Sequence, residues 1–112
     1  MQREIKIGED MVPMRATAAT AYRYRQTFHG DLLTELAKEK PEQENVELIQ
    51  RLAYIMSKSA ENADMNGLNE NGYIDWLEQF DPMDLLEAMP SVIGLYMESK
   101  SGASKAKKNN NQ

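Results

Sequence analysis

The chain has 112 residues, 41% of them hydrophobic and 28% charged, which suits one domain built around one modest core. It contains no cysteine, so disulfides, thiolate metal ligands and thiol nucleophiles are excluded, as fits a reducing compartment. The net charge of −5 disfavours nucleic-acid binding, which needs a basic patch on the folded domain.

The opening residues Gln2, Arg3, Glu4 and Lys6 lack the apolar run of a signal peptide. No segment nears the roughly 18 consecutive apolar residues that span a bilayer. The expectation is a soluble intracellular protein. Its charge is divided unevenly. From Ser59 to Ser99 there are nine acids and no Lys or Arg, hence −9, whereas residues 1–30 carry five bases and three acids, hence +2. The stretch from Lys100 to Gln112 adds four lysines and no acid. The acidic half reads as a solvated face, as a surface steering a basic partner, or as one side of a head-to-tail homo-oligomer.

In chain order, Glu4–Ile7 alternates polar and apolar residues as a half-buried strand does. Gly8, Glu9 and Asp10 supply a turn, and Met11–Met14 returns as a second strand. Pro13 confines that strand to an edge. A first helix is expected over Ala18–His29, capped by Thr17, with Ala18, Ala21, Tyr22, Arg25 and Phe28 on one side. Gly30 should take the left-handed conformation that stops it, and Asp31 should cap a second helix, Leu32–Lys38. Beyond the proline-broken Lys38–Glu44 link, the spacing predicts a central helix over Asn45–Ala63. Its stripe is Val46, Ile49, Leu52, Ala53, Met56, Ala60 and Ala63, widened by Leu48 and Ile55. A polar loop Asp64–Gly72 should follow, then short helices Ile74–Phe80, Pro82–Ala88 and Pro90–Ser99, the last two opening on proline. Lys100–Gln112 is too polar to fold alone. The fold expected is therefore mainly α: a single-domain helical bundle over residues 1–99 with a short N-terminal β-hairpin, and a disordered tail over 100–112.

Gly67–Glu78 resembles a calcium loop, with Gly72 at the sharp turn, Asn69, Asn71 and Asp75 as ligands and Glu78 as the bidentate carboxylate. However, Gly67 stands where the first carboxylate should be, which favours a plain loop and a capped helix. His29 beside Gly30 reads as a helix-end group rather than a base or ligand. Tyr22, Tyr24 and Phe28 with Arg23 and Arg25 read as a core stripe with a charged rim rather than a base-stacking platform. Asp75, Glu78, Asp81 and Asp84 lack a cleft or a partner that would make an acid pair. No catalytic, metal or cofactor-binding residue is therefore assigned.

Eight methionines are present. Met83, Met89, Val92, Ile93, Tyr96 and Met97 crowd the C-terminal helices beyond what one core stripe needs. They form either a sandwiched core or an adaptable partner-binding face, and as such a face they would be rimmed by Asp84, Glu87 and Glu98.

Val12-Pro-Met-Arg-Ala-Thr-Ala-Ala-Thr20, Tyr24-Arg-Gln-Thr-Phe-His-Gly-Asp-Leu-Leu33, Leu52-Ala-Tyr-Ile-Met56 and Trp76-Leu-Glu-Gln-Phe80 follow one another over residues 4–97. In order and spacing they resemble the tail assembly chaperones of long-tailed phages and prophages of Gram-positive bacteria. The resemblance implies a mostly helical, non-enzymatic protein of the host cytoplasm, absent from the mature virion. It would coat the helical tape-measure protein and keep it soluble while the tail tube assembles. It also implies a longer frameshifted product that engages the tail-tube protein, for which Lys105–Asn111 would suit an adenine-rich slippery site. The alternative reading is a small calcium-responsive or regulatory helical module.

Overall fold

The computed structural model describes the backbone of residues 1–110 and the side chains of residues 1–100. β1 (Gln2–Ile7) and β2 (Asp10–Arg15) form an antiparallel hairpin that pairs Ile5 with Val12 and Ile7 with Asp10. Alternation buries Ile5, Ile7 and Met14 and turns Gln2, Glu4, Lys6, Met11 and Pro13 to solvent. A two-stranded sheet has only edge strands, so Pro13 sits where its missing donor is tolerated. Gly8, first of the two turn residues, has φ 65°, the position that a II′ turn reserves for glycine. A Cβ there would also lie 2.5 Å from an Asp84 carboxylate oxygen, so the turn can approach the last helix only without a side chain.

The first helix, α1 (Thr20–Phe28), starts two residues later than Ala18. Thr17 does not cap it. The Thr17 hydroxyl accepts from the Ala19 N–H at 3.1 Å and the Thr20 hydroxyl from the Thr17 N–H at 2.9 Å. These bonds close a local turn that competes with helix. The inward face is Thr20, Tyr24 and Thr27, not the side centred on Tyr22 and Arg25, which are exposed. Ring packing sets this rotation: Tyr24 lies 5.3 Å from Phe28, and Phe28 lies 6.3 Å from Tyr54 and 5.2 Å from Tyr73. The left-handed residue that ends α1 is His29, at φ 62°, and not Gly30. Its N–H reaches the Arg25 carbonyl at 2.8 Å, closing the last turn as such a residue does.

Asp31 caps α2 (Leu32–Ala37) as expected, its carboxylate accepting from the Thr34 N–H at 3.2 Å. That bond holds the Asp31 carboxyl below its ordinary pKa. The central helix, α3 (Glu42–Ala60), begins directly after Pro41. Glu42 and Glu44 favour its N-terminal dipole. It ends before Ala63 because Asn62 turns left-handed at φ 58° and the Ala63 N–H folds back to Lys58 O at 3.2 Å. Leu48, Ile49, Leu52, Ala53, Ile55 and Met56 are buried. The helix packs against β2, α1 and the two helices that follow it, so the wide stripe belongs to an element with neighbours on several sides.

The expected loop Asp64–Gly72 is largely ordered as helix. A 3-10 turn, Met65–Gly67, is capped by the Asp64 carboxylate, and α4 (Glu70–Leu77) is capped by Asn69, which accepts from the Gly72 N–H at 2.8 Å. The two expected C-terminal helices are one, α5 (Pro82–Asn110), with Pro90 inside it. Pro90 removes the donor for the Leu86 carbonyl. Both residues lie on the exposed side of the helix, where water can serve that carbonyl and the helix can continue. The backbone of α5 continues into the stretch expected to be disordered, 100–112, while the side chains past Lys100, and Asn111 and Gln112 altogether, lie outside the described residues.

Tyr24, Tyr54, Tyr73 and Tyr96 are buried, and burial raises the pKa of each hydroxyl, that of Tyr73 to about 12. The unfolded chain ionises its tyrosines near pH 10, before the folded one does. The stabilisation is therefore complete below about pH 10 and is lost as pH rises through that value towards 12. Loss of helical circular dichroism over this interval, together with cooperative growth of tyrosinate absorbance, is the expected result.

Candidate functional site

The last helix carries apolar residues on two of its sides. At about 100° per residue, Leu85, Ala88, Met89, Val92, Leu95 and Tyr96 share the side buried against α3 and β1. Met83, Leu86, Pro90, Ile93 and Met97 share another. Met83 is 61%, Leu86 40% and Met97 44% exposed; Pro90 is exposed and Ile93 half-buried. The intervals along this outer stripe are three, four, three and four, the spacing of a seam that accepts another helix. At ~1.5 Å per residue the stripe runs for about 21 Å.

Midway along, the stripe opens into a groove of about 550 Å³ between α5 and the first turns of α3. The groove is lined by Leu86, Met89, Pro90 and Ile93 from α5, and by Glu42, Val46 and Ile49 from α3. α3 supplies this wall because its helix starts at Glu42, which places Val46 one turn in. Side chains of a docked helix would find methionine at both ends of the seam and an aliphatic recess in its middle. Methionine's flexible thioether lets such a surface repack against different segments.

Of the six expected partner-binding residues, Met83, Ile93 and Met97 lie on this stripe. Met89 is 9% exposed and only edges the groove. Val92 at 1% and Tyr96 at 5% exposure are core residues: they point inward because they fall on the Leu85–Leu95 side of the same helix. The expected acidic rim is also redistributed. Glu98 pairs with Arg3 of β1 at 2.8 Å, and Asp84 packs against the Gly8 turn. Glu87 stays exposed at the edge of the stripe, and Glu42 borders the groove from the other side. Leu86, Pro90 and Val46 complete the site without having been expected there. The signal for Leu86 and Pro90 is the three–four spacing from Met83 to Met97, visible only when the helix is read through Pro90; Val46, on α3, has no such signal.

The other constellations do not assemble. Asn69 is occupied as a helix cap, and Gly72, the supposed sharp turn of a calcium loop, lies within α4. Among the described residues no group of three or more His, Asp or Glu side chains is placed to hold a metal ion. Tyr24 is buried and Phe28 is covered by the Arg51 guanidinium at 5.3 Å, which leaves exposed Tyr22, with Arg23 at 5.6 Å, as the remaining ring of the stacking set. Among the described residues no helix is long and apolar enough to cross a membrane.

Comparison with protein-family models, with curated proteins and with solved structures finds no match to this chain.

Proposed function

We propose that this protein is a non-catalytic chaperone that holds an amphipathic helical client along the outer stripe of α5. On the resemblance of its sequence segments, that client is the tape-measure protein of a phage tail, kept soluble in the host cytoplasm during tube assembly and released before the virion is complete. The observation that carries the reading is the seam Met83–Leu86–Pro90–Ile93–Met97, an apolar three–four repeat left open to solvent among the described residues. A helix lays its apolar face into such a groove through anchors of the same spacing. Glu42 and Glu87 at the edges favour clients with basic flanks. The tail-tube protein enters this reading only through a longer frameshifted form.

Co-expression with the tape-measure protein tests it. Replacing Met83, Leu86 and Met97 together by Ser removes exposed apolar atoms, so the helical circular dichroism and melting temperature should stay close to those of the parent. Client affinity should fall by about a hundredfold or more, since loss of three anchors at roughly 1 kcal/mol each exceeds the 2.7 kcal/mol that this factor represents. Undiminished co-purification of the client with the folded triple variant would remove the stripe from the function.

A further inference from the structure

The chain has eight methionines and no cysteine, so every sulfur in it is a thioether, the group that takes up one oxygen to become a sulfoxide. The fold sorts these sulfurs by access. Met14 and Met56 have no exposed surface and Met89 has 9%, while Met65 is half-buried. Met83, at 61%, is the most exposed large apolar side chain among the described residues, and Met97 is 44% exposed. These two stand at opposite ends of the outer stripe of α5. Leu86, Pro90 and Ile93 between them carry no atom that a mild peroxide oxidises. Met1 and Met11 are also exposed but lie off the stripe.

We infer that Met83 and Met97 are redox-modification sites, and that their oxidation by a peroxide closes the outer stripe to an apolar helix. In each step the thioether sulfur attacks one peroxide oxygen. A sulfur–oxygen bond forms, the oxygen–oxygen bond breaks, and the proton left on the transferred oxygen passes to the departing hydroxide, giving water. The sulfur loses two electrons and the peroxide gains them. The product is a polar, chiral side chain. In the free protein its oxygen stays hydrated. Under a docked helix it is stripped of water against an apolar anchor, and an acceptor buried without a donor opposes docking. Because both residues face solvent, they take up the oxygen without entering the core, so α5 persists and only its outer surface changes.

The inference rests on the stripe being the client's seat, as in the proposed function, and adds a control to it. Oxidation at the two ends of the stripe releases the client, and reduction of the sulfoxides restores the seat. A bound client in turn covers both thioethers and shields them from the oxidant.

Limited treatment of the protein alone with hydrogen peroxide, followed by peptide mass measurement, gives the order of oxidation. Met83 and Met97 should gain one oxygen at least about tenfold faster than Met14 and Met56, with helical circular dichroism retained. A methionine-free helical segment of the tape-measure protein, added once the peroxide is removed, should bind about tenfold or more weakly than before treatment. A variant carrying Met83→Leu and Met97→Leu conserves volume and apolarity along the stripe. It should bind the segment as the parent does and keep that affinity after peroxide, although its Met1 and Met11 still oxidise. With the segment bound to the parent, oxidation should slow at Met83 and Met97 and stay unchanged at Met11. Undiminished binding with both sulfurs oxidised, an equal loss in the leucine variant, or oxidation of Met83 and Met97 no faster than of the core methionines overturns the inference. A segment that fails to bind the untreated protein sinks the proposed function and the control together, and the order of oxidation, read without client, tells that failure apart from the others.

Discussion

Leu52→Ala should lower the urea midpoint of this protein by at least ~0.7 M. Leu52 has no exposed surface and sits halfway along α3, the helix that meets β2, α1, α4 and α5. Truncation there removes three heavy atoms from a buried cluster to which Ile49, Ile55 and Met56 of the same helix also belong. Walls fixed from several directions cannot collapse to fill the void, so the cost belongs in the usual range of about 2–5 kcal/mol. A domain of this size has a total of about 5–15 kcal/mol, and a urea slope of roughly 1–3 kcal/mol per molar converts the loss into the stated shift. Leu33→Ala is the matched control. Leu33 is 47% exposed on α2, and its variant should stay within about 0.5 kcal/mol of the parent. Equal midpoints for Leu52→Ala and the parent would take α3 out of the core.

Gly72→Ala should also destabilise the fold, although alanine is the better helix former. Gly72 lies in the first turn of α4, and a Cβ there would stand 2.6 Å from the Tyr54 hydroxyl oxygen. Tyr54 cannot easily retreat: it is 2% exposed, and its ring lies 5.7 Å from Tyr73 and 6.0 Å from Trp76. Overpacking of this kind costs about 1–3 kcal/mol, against a helix-propensity gain of at most ~1 kcal/mol in α4. The net loss expected is about 1–2 kcal/mol. The hydroxyl is the cause, so the effect should vanish in a Tyr54→Phe background, where the nearest remaining ring carbon is 3.7 Å away. A double-mutant cycle by urea unfolding gives the coupling directly. Additive effects of the two substitutions would show that the close approach is relieved elsewhere.

Where the pattern was local, the residues announced the structure. The hairpin follows from two-residue alternation around Gly8, the α2 cap from Asp31, and the central helix from a stripe wide enough to need several neighbours. The misreadings share a physical origin in tertiary context. Tyr22 and Arg25 occupy the side of α1 that periodicity alone favoured, yet the aromatic cluster around Phe28 rotates Tyr24 inward instead. His29 rather than Gly30 becomes left-handed because the last turn closes one residue earlier than glycine's preference suggests. Gly72 looked like punctuation in a polar loop, whereas its smallness serves a contact with Tyr54 that no local pattern encodes.

One proline masks the candidate site in the sequence. Placed in a first turn, Pro90 divides α5 and mixes its two apolar sides, which groups Val92 and Tyr96 with Ile93 and Met97. With the helix continuous, inner and outer residues separate by spacing alone. Leu86 and Pro90 then take their places between Met83 and Ile93. The groove wall from α3 could not be read at all, because it depends on how Val46 and Glu42 approach α5 in space.

The methionines allow the central claim to be measured on the intact protein. With their methyl groups carbon-13 labelled, Met83 and Met97 report on the outer stripe, Met11, 54% exposed on the hairpin, on an unrelated surface, and Met14 and Met56, both at 0%, on the core. Titrating the labelled protein with a helical segment of the tape-measure protein puts client docking under observation. Saturable shifts of the Met83 and Met97 methyl signals, with Met11, Met14 and Met56 unmoved, are the predicted result. Client binding that shifts Met11 while Met83 and Met97 keep their positions would contradict the account.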